Sequence, residues 1–430
     1  MDRVIAPAER LAGVVRLPGD KSISHRYALL ASLAEGPSRI ANFASGADCG
    51  STLDCLEALG VAIRRENSQV LVEGVGLDGL RRPGRALDAG NSGSTIRMLA
   101  GILAAQSFAS EIGGDASLER RPMRRVIEPL AAMGARLEAR QGSFPPLRIR
   151  GGPLRGIDYQ LPVPSAQVKT AVLLAGLWAG GETAVREPVR TRDHTEIALR
   201  EFGAAVSVGQ RVIRLAPRPA LRGRELSVPC DLSSAAFFLV AGLIVPGSEL
   251  ILQDVGLNPT RSALLDLLAS MGAELKIVNI REEAGELRGD LLVRHSAVRG
   301  GVIEGPMATA VIDEIPVLAV LGAASEKGLV VRDASELRVK ESDRVATVAE
   351  NLRRMGVEAR VLEDGLEIPG RGKSAGRFRA AELDSFGDHR IAMAFAVAAL
   401  RADGPSTLRG AETAGVSFPE FYDTLERLRA

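Results

Sequence analysis

LPGDKSISHRYALLASLAEG, residues 17–36, joins two unlike halves. Pro18-Gly19 is a turn signal that ends an apolar run. Asp20, Ser22 and Ser24 are residue types that cap helix N-termini. Directly behind them, residues 27–34 form an Ala/Leu-rich helix former. Lys21 and Arg26 therefore fall at a helix start, beside unsatisfied backbone N–H groups and the positive end of the helix dipole. That setting suits an anion. A single stretch of this kind reads most simply as a capped helix with two solvated cations. Its meaning comes from its recurrence along the chain.

An Ala/Leu-rich segment, often closed by glycine and followed by a strand-like run, occurs six times. The copies begin near Tyr27, Ile96 (IRMLAGILAAQSF), Val168 (VKTAVLLAGLWAGGETAV), Ala235 (AAFFLVAGLIVPGSELIL), Ile315 (IPVLAVLGAASEKGLVV) and Ile391 (IAMAFAVAALRADGPSTL). These segments are apolar nearly all round, which marks buried helices. A second element follows each of the first five: an amphipathic helix ending in a large apolar residue, then glycine, then Ala or Val. The glycines are Gly60, Gly134, Gly203, Gly272 and Gly356, spaced 74, 69, 69 and 84 residues apart. Each suits the left-handed position just past a helix. A sixth copy, residues 421–428, is cut off by the end of the chain. The repeating unit is thus a buried helix, a strand, an amphipathic helix and strands. Six units divide into two halves of three, with the Arg/Pro-rich residues 217–229 as the expected junction. The run 3–17 precedes the first unit; if it pairs with the second half, two strands link the halves and form a hinge.

Composition narrows the function. A chain of 430 residues is too long for one ordinary core. Its net charge of +1 and 3% aromatic content argue against a nucleic-acid partner, which asks for basic excess or stacking platforms. Cys49, Cys55 and Cys230, with His25, His194, His295 and His389, are scattered without metal-site or disulfide spacing, so no metal is expected. The N-terminus lacks a signal core, and the longest apolar run, near 235–245, is too short for a bilayer. A cytoplasmic location with no membrane partner is the expectation.

Polar residues cluster at the starts of the apolar helices: 20–26, 88–97, 164–169, 230–234, 312–314 and 385–390. If the three buried helices of each half run parallel, their N-termini converge on one face. Two such faces across a hinge would make a strongly positive cleft for a small, multiply anionic ligand. Three further loops, 117–125, 190–196 and 336–344, are dense in charge. Residues 90–95 (GNSGST) lack the Gly-Lys-Ser/Thr ending of a nucleoside-triphosphate loop. Gly19-Asp20-Lys21-Ser22 has the wrong glycine spacing for that loop, and no GxGxxG opens a βαβ unit. Ser165 and Lys169 do not have the S-x-x-K spacing of acyl-transfer enzymes.

The ordered motifs LPGDKSISHR, GNSGSTIR, RRPM, PSAQVK, TRDHTE, IDEIP, LRVKESDR and GDHRIAM, from residue 17 to 393, with SFPEF at 417–421, resemble the 5-enolpyruvylshikimate-3-phosphate synthase (3-phosphoshikimate 1-carboxyvinyltransferase) family. The resemblance implies a two-domain inside-out α/β barrel, the enolpyruvyl transferase fold, built from six βαβαββ repeats, three per domain. It places residues 1–18 with 229–430 in one discontinuous domain and 19–228 in the other, with the active site in the cleft between them. It implies transfer of the enolpyruvyl group of phosphoenolpyruvate to the 5-hydroxyl of shikimate 3-phosphate, with release of phosphate, by a monomer that needs no cofactor.

Carried over position by position, Lys21, Ser22, Arg26, Ser165, Ala166 (through its backbone), Gln167, Asp313 and Lys340 are implied for shikimate 3-phosphate. Lys21, Gly93, Arg121, Gln167, Arg344 and Arg390 are implied for phosphoenolpyruvate. The implied mechanism is addition–elimination through a tetrahedral ketal. Asp313 is the implied base for the 5-hydroxyl, and Lys21 and Glu341 the acid/base groups for the methylene carbon. Arginine suits these sites because its planar fork binds phosphate and carboxylate bidentately.

Ala166, Glu336 and Val416 depart from the enterobacterial pattern, which has serine, asparagine and lysine there, and Arg192 offers a phosphate contact that branch lacks. These features resemble the branch called class II. Gly93 is where some class II members carry an alanine that crowds glyphosate, so glyphosate is expected to compete with phosphoenolpyruvate. The sister transferase acting on UDP-N-acetylglucosamine usually carries a catalytic cysteine in the loop matching 113–125; this loop has none. A non-catalytic anion-binding relative is the other alternative, against which Lys21, Asp313 and Glu341 stand.

Overall fold

The computed structural model describes residues 1–372 and 376–429. They form two compact units: 1–18 with 229–282 and 287–429, and 19–228 with the short segment 283–286. Each unit has its own apolar core.

In the unit built from 19–228 the central helices are Lys21–Leu33, Gly93–Leu103 and Ala166–Gly176. In the other they are Leu232–Ile244, Ile315–Ala323 and His389–Ala399. Every residue of Leu232–Ile244 and of Ile315–Ala323 is buried, as a helix apolar all round requires. The helices begin two to three residues earlier than the apolar runs alone indicate, at Gly93, Ala166, Leu232 and His389. Polar side chains placed by sequence ahead of the helices therefore stand in their first turns. Of the three capping types at 20–24, Asp20 is the cap: its Oδ1 accepts from Ile23 N at 2.9 Å.

The amphipathic helices are Ala47–Ala58, Arg124–Met133, His194–Glu201, Ala263–Ser270, Arg344–Arg354 and Phe421–Arg427. Arg344–Arg354 shows why they lie as they do: Val345, Val348, Ala349 and Leu352 share one buried face. The glycines after the first five all have positive φ: 92° at Gly60, 114° at Gly134, 101° at Gly203, 91° at Gly272 and 76° at Gly356. A side chain there would be strained, and the reversal turns each helix into its hairpin.

Among the described residues six small sheets accompany the helices. In the commonest pattern a short strand runs parallel to the strand beyond the central helix, which pairs antiparallel with a hairpin. Leu87–Asp88 and Ala109–Gly113 flank Gly93–Leu103 in this way, and Asp158–Gln160 and Thr183–Arg186 flank Ala166–Gly176. Gly301–Ile303 with Gly328–Val331, and Glu382–Asp384 with Ser406–Arg409, repeat it in the other unit. The two remaining repeats exchange their first strands. Ala12–Arg16, which precedes Lys21–Leu33 in sequence, lies parallel to Glu249–Gly256. Glu225–Ser227, which precedes Leu232–Ile244, lies parallel to Glu35–Ala41. The N-terminal run thus pairs with the second half of the chain. In the repeat of His389–Ala399, Arg3–Ile5 pairs antiparallel with Ser406–Arg409, where the other repeats place a hairpin strand.

Among the described residues no helix is long and apolar enough to cross a membrane. The three cysteines are buried and unbridged.

Candidate active site

Two polar clusters stand at the N-termini of the central helices, one in each unit. In the unit built from 19–228, Lys21 Nζ forms an ion pair with Asp48 Oδ2. The Asp48 carbonyl accepts from Thr95 Oγ1 at 3.3 Å, in the first turn of Gly93–Leu103. From that same helix Arg97 Nη1 donates to Gln167 Oε1 at 2.7 Å, and Gln167 Nε2 donates to Ser94 Oγ at 3.0 Å. Arg26 Nη2 closes the ring by donating to Thr170 Oγ1 at 2.9 Å. The three N-termini are therefore bonded to one another. Ser92 and Ser165 cap the second and third helices, accepting from Thr95 N at 3.1 Å and Val168 N at 3.4 Å. Ser22, Ser165, Ala166 and Gln167 are half-buried.

Arg121 comes from the loop before Arg124–Met133 and donates from Nη2 to Asn91 Oδ1 at 2.6 Å and Ser117 Oγ at 3.1 Å. Its Nη1 lies 3.4 Å from where a Cβ on Gly93 would stand. Arg26 is 2% exposed. Its Nε donates to Thr195 Oγ1 at 2.7 Å and its Nη1 to the Ser22 carbonyl at 2.7 Å. A guanidinium has five N–H groups, and these three bonds engage three of them. Burial pulls the Arg26 pKa down to about 10, against Glu196 and Asp20, and half-buried Arg192 adds to the lowering as a neighbouring positive charge. Lys21, Arg26, Arg97, Arg121 and Arg192 make this a cation-rich surface, ready for phosphate and carboxylate groups.

The cluster of the other unit is mixed in charge. Asp313, just before Ile315–Ala323, has Oδ1 at 3.8 Å from Lys340 Nζ and 3.7 Å from Arg344 Nη1, and Oδ2 at 4.0 Å from Arg390 Nη2. Arg390 Nη1 also donates to the Asp313 carbonyl at 3.0 Å. Arg344, 2% exposed, donates from Nε to Asp388 Oδ2 at 2.8 Å and from Nη2 to Glu341 Oε2 at 2.5 Å. Burial lowers the pKa of this guanidinium, but Asp388 first and Glu341 next more than offset it and hold it above the ordinary value. The same contact holds Asp388 below the usual carboxylate range against its own burial. Asp388 also caps His389–Ala399, accepting from Arg390 N at 2.9 Å.

Several residues outside the sequence-derived set support these clusters. Asp48 pairs with Lys21, Arg97 with Gln167 and Asp388 with Arg344. Arg261 Nη2 donates to Ser233 Oγ at 2.6 Å, Ser233 Oγ donates to Glu314 Oε1, and Glu314 stands 3.9 Å from Arg390 Nη1. Arg97, Asp388 and Glu314 lie within the motifs GNSGSTIR, GDHRIAM and IDEIP, close to Gly93, Arg390 and Asp313, and that proximity is the signal the sequence offers for them. Asp48 and Arg261 sit in no motif. Glu336 is exposed in the turn Ser335–Val339, and Val416 ends the turn Ala411–Val416. Among the described residues no three His, Cys, Asp or Glu side chains are grouped to hold a metal ion.

With this geometry in hand, known proteins give the family. The sequence pattern of EPSP synthase (3-phosphoshikimate 1-carboxyvinyltransferase) matches residues 5–425. The chain belongs to the EPSP synthase family. It is 64% identical over 428 residues to the 3-phosphoshikimate 1-carboxyvinyltransferase of Solibacter usitatus (strain Ellin6076), covering 100% of both chains. It is 52% identical to that of Koribacter versatilis (strain Ellin345), covering 99% of this chain and 98% of the relative. Among solved structures, EPSP synthase from Acinetobacter baumannii superposes with a TM-score of 0.90 at 43% identity, covering 100% of this chain and 98% of that one. The enolpyruvyl transferase NikO from Streptomyces tendae shares the fold, with a TM-score of 0.79 at 19% identity. The enolpyruvyl transferase fold is thus the fold of this chain, and 1-carboxyvinyl transfer is its activity class.

Proposed function

We propose that this chain transfers the enolpyruvyl group of phosphoenolpyruvate to the 5-hydroxyl of shikimate 3-phosphate and releases phosphate, and that both clusters serve this one reaction. The observation that carries the residue assignments is the setting of Asp313, with three cationic side chains within 4.0 Å of its carboxylate. Such neighbours favour the ionised form that a base requires and give oxygen anions a place to bind.

In the addition step Asp313 takes the proton of the 5-hydroxyl as the oxygen bonds to C2 of phosphoenolpyruvate. The methylene carbon receives a proton from the Lys21 or Glu341 position, giving the tetrahedral ketal. In the elimination step that carbon returns a proton, the C2–O bond to phosphate breaks, and the departing phosphate carries off the proton that Asp313 took from the 5-hydroxyl. Lys21, Ser22, Arg26, Ser165, Ala166, Gln167, Arg192 and Lys340 hold shikimate 3-phosphate; Lys21, Gly93, Arg121, Gln167, Arg344 and Arg390 hold phosphoenolpyruvate. Charged groups pre-placed where charge develops need little reorganisation during the reaction. The same reading makes the protein a cytoplasmic monomer acting on small molecules, with glyphosate competing against phosphoenolpyruvate.

Phosphate release is the test. Purified protein should release phosphate from phosphoenolpyruvate with shikimate 3-phosphate and not with UDP-N-acetylglucosamine. Release only with the UDP-sugar, or none with either, would overturn the proposal. Asp313→Ala should lower turnover by about three orders of magnitude or more, as loss of an essential base does, while shikimate 3-phosphate still binds. Full activity in that variant would remove Asp313 from the base role.

A further inference from the structure

Lys169 is 0% exposed on the central helix Ala166–Gly176, and the reaction as described makes no use of it. Its Nζ lies 2.7 Å from Glu196 Oε1 and 3.0 Å from Glu187 Oε1, two carboxylates almost as deeply buried. Glu187 follows the strand Thr183–Arg186, and Glu196 stands in the first turn of His194–Glu201. One ammonium group therefore grips both ends of the segment 187–196. Glu187 Oε1 also accepts from Thr191 N at 3.2 Å and from Thr191 Oγ1, which folds the segment on itself.

That segment carries Arg192 and Thr195. Thr195 Oγ1 accepts from Arg26 Nε at 2.7 Å and lies 2.6 Å from Thr170 Oγ1. Thr170 Oγ1 accepts from Arg26 Nη2 at 2.9 Å and donates to the Ala166 carbonyl at 2.7 Å. A hydroxyl has one hydrogen to give. Thr170 spends its hydrogen on Ala166, so the Thr195 hydroxyl donates to Thr170. The order is then fixed: Arg26 to both threonines, Thr195 to Thr170, Thr170 to the backbone. Two acceptors on one edge of the guanidinium set its plane, and one of them stands in the first turn of His194–Glu201, next to Glu196.

We propose that Lys169 is a positioning residue for shikimate 3-phosphate, clamping Glu187 and Glu196 so that Thr195 fixes the plane of Arg26 and Arg192 is held beside it. The proposal rests on the reading of Arg26 and Arg192 as groups that bind shikimate 3-phosphate. A buried ammonium between two carboxylates is a weak source of net stability, because desolvation offsets much of the attraction. It is a strong constraint on geometry, since moving either carboxylate away leaves a buried charge uncompensated.

Steady-state kinetics with both substrates test it on Lys169→Met, Glu187→Gln and Arg26→Lys. Lys169→Met should raise the KM for shikimate 3-phosphate about tenfold while leaving the KM for phosphoenolpyruvate and kcat within about threefold, the signature of lost binding to one substrate. Glu187→Gln keeps the shape and an acceptor for Thr191 but loosens the clamp, so the same KM should rise about threefold. A general loss of structure would move both KM values and kcat together, and that pattern in a folded Lys169→Met overturns the proposal. An unchanged KM for shikimate 3-phosphate in that variant overturns it too. If Lys169→Met does not fold, Glu187→Gln decides, and an unchanged KM there is fatal. Arg26→Lys separates the two readings. If it leaves the KM for shikimate 3-phosphate unchanged, the assignment of Arg26 fails; if it raises that KM while the Lys169 and Glu187 variants do not, only the clamp fails.

Discussion

A single missing methyl group at residue 93 illustrates how finely the cationic surface is spaced. Gly93 opens the helix Gly93–Leu103, and a Cβ there would stand 2.8 Å from Arg97 Nη1 and 3.4 Å from Arg121 Nη1. The first contact is too short, and Arg97 is not free to swing aside without disturbing its bond to Gln167. The backbone at this position tolerates alanine, which is also the better helix former. Gly93→Ala should therefore fold normally and raise the KM for phosphoenolpyruvate about three- to tenfold, with the KM for shikimate 3-phosphate nearly unchanged, and should weaken competition by glyphosate further still. Steady-state kinetics with and without glyphosate check this, and undiminished competition in the variant would remove the steric account. At this scale motifs singled out Lys21, Gln167, Asp313 and Arg344, and the structure places each in one of the two polar clusters. Residues that act through a distant partner were not legible in this way. Ser233 meets Glu314 across 81 positions, and no spacing in the chain announces such a pair.

Between elements, hydroxyl and imidazole groups bind helices that apolar packing alone would leave free to slide. His25, wholly buried on Lys21–Leu33, has Nδ1 2.7 Å from Thr52 Oγ1 on Ala47–Ala58. Thr52 in turn lies 2.7 Å from Thr95 Oγ1 on Gly93–Leu103. Burial, then the charges of Lys21 and Arg26, hold the His25 pKa well below 6.5, outweighing Asp20. Folded His25 is thus neutral while the unfolded chain takes up a proton below pH 6.5. The unfolded state binds more protons in that range, so His25 lowers stability as pH falls below 6.5, by up to about 1.4 kcal/mol per pH unit until the folded pKa is reached. Chemical denaturation at pH 7.5 and 5.5 should show His25→Gln losing less stability between the two values than the unaltered protein. Equal losses would mean that His25 is protonated in the fold. The helix periods and their closing glycines could be read from sequence because each is a local property. Short strands such as Glu225–Ser227 could not, since their partners are set by the packing of whole repeats.

On the scale of the whole chain, the paired threefold repeat was readable from the glycine spacing, whereas the exchange of first strands between Ala12–Arg16 and Glu225–Ser227 was open until the sheets were seen. Each unit then closes its own core. In one, Phe238 is 0% exposed and its ring centroid lies 6.0 Å from that of Phe418 and 5.6 Å from that of Phe421. In the other, Phe202 is 0% exposed, 6.3 Å from Tyr27. The two clusters of buried side chains share no residue. Truncating either phenylalanine to alanine removes a buried ring and leaves a cavity, at a cost of about 3–5 kcal/mol. If each core is its own cooperative unit, that loss stays local. Phe238→Ala should then speed amide hydrogen exchange in Leu232–Ile244, Ile315–Ala323 and His389–Ala399 and leave Lys21–Leu33, Gly93–Leu103 and Ala166–Gly176 protected, with Phe202→Ala giving the reverse pattern. Matching losses of protection in all six helices from either variant would show that the chain opens as one body, and that its six repeats share a single folding free energy despite their separate cores.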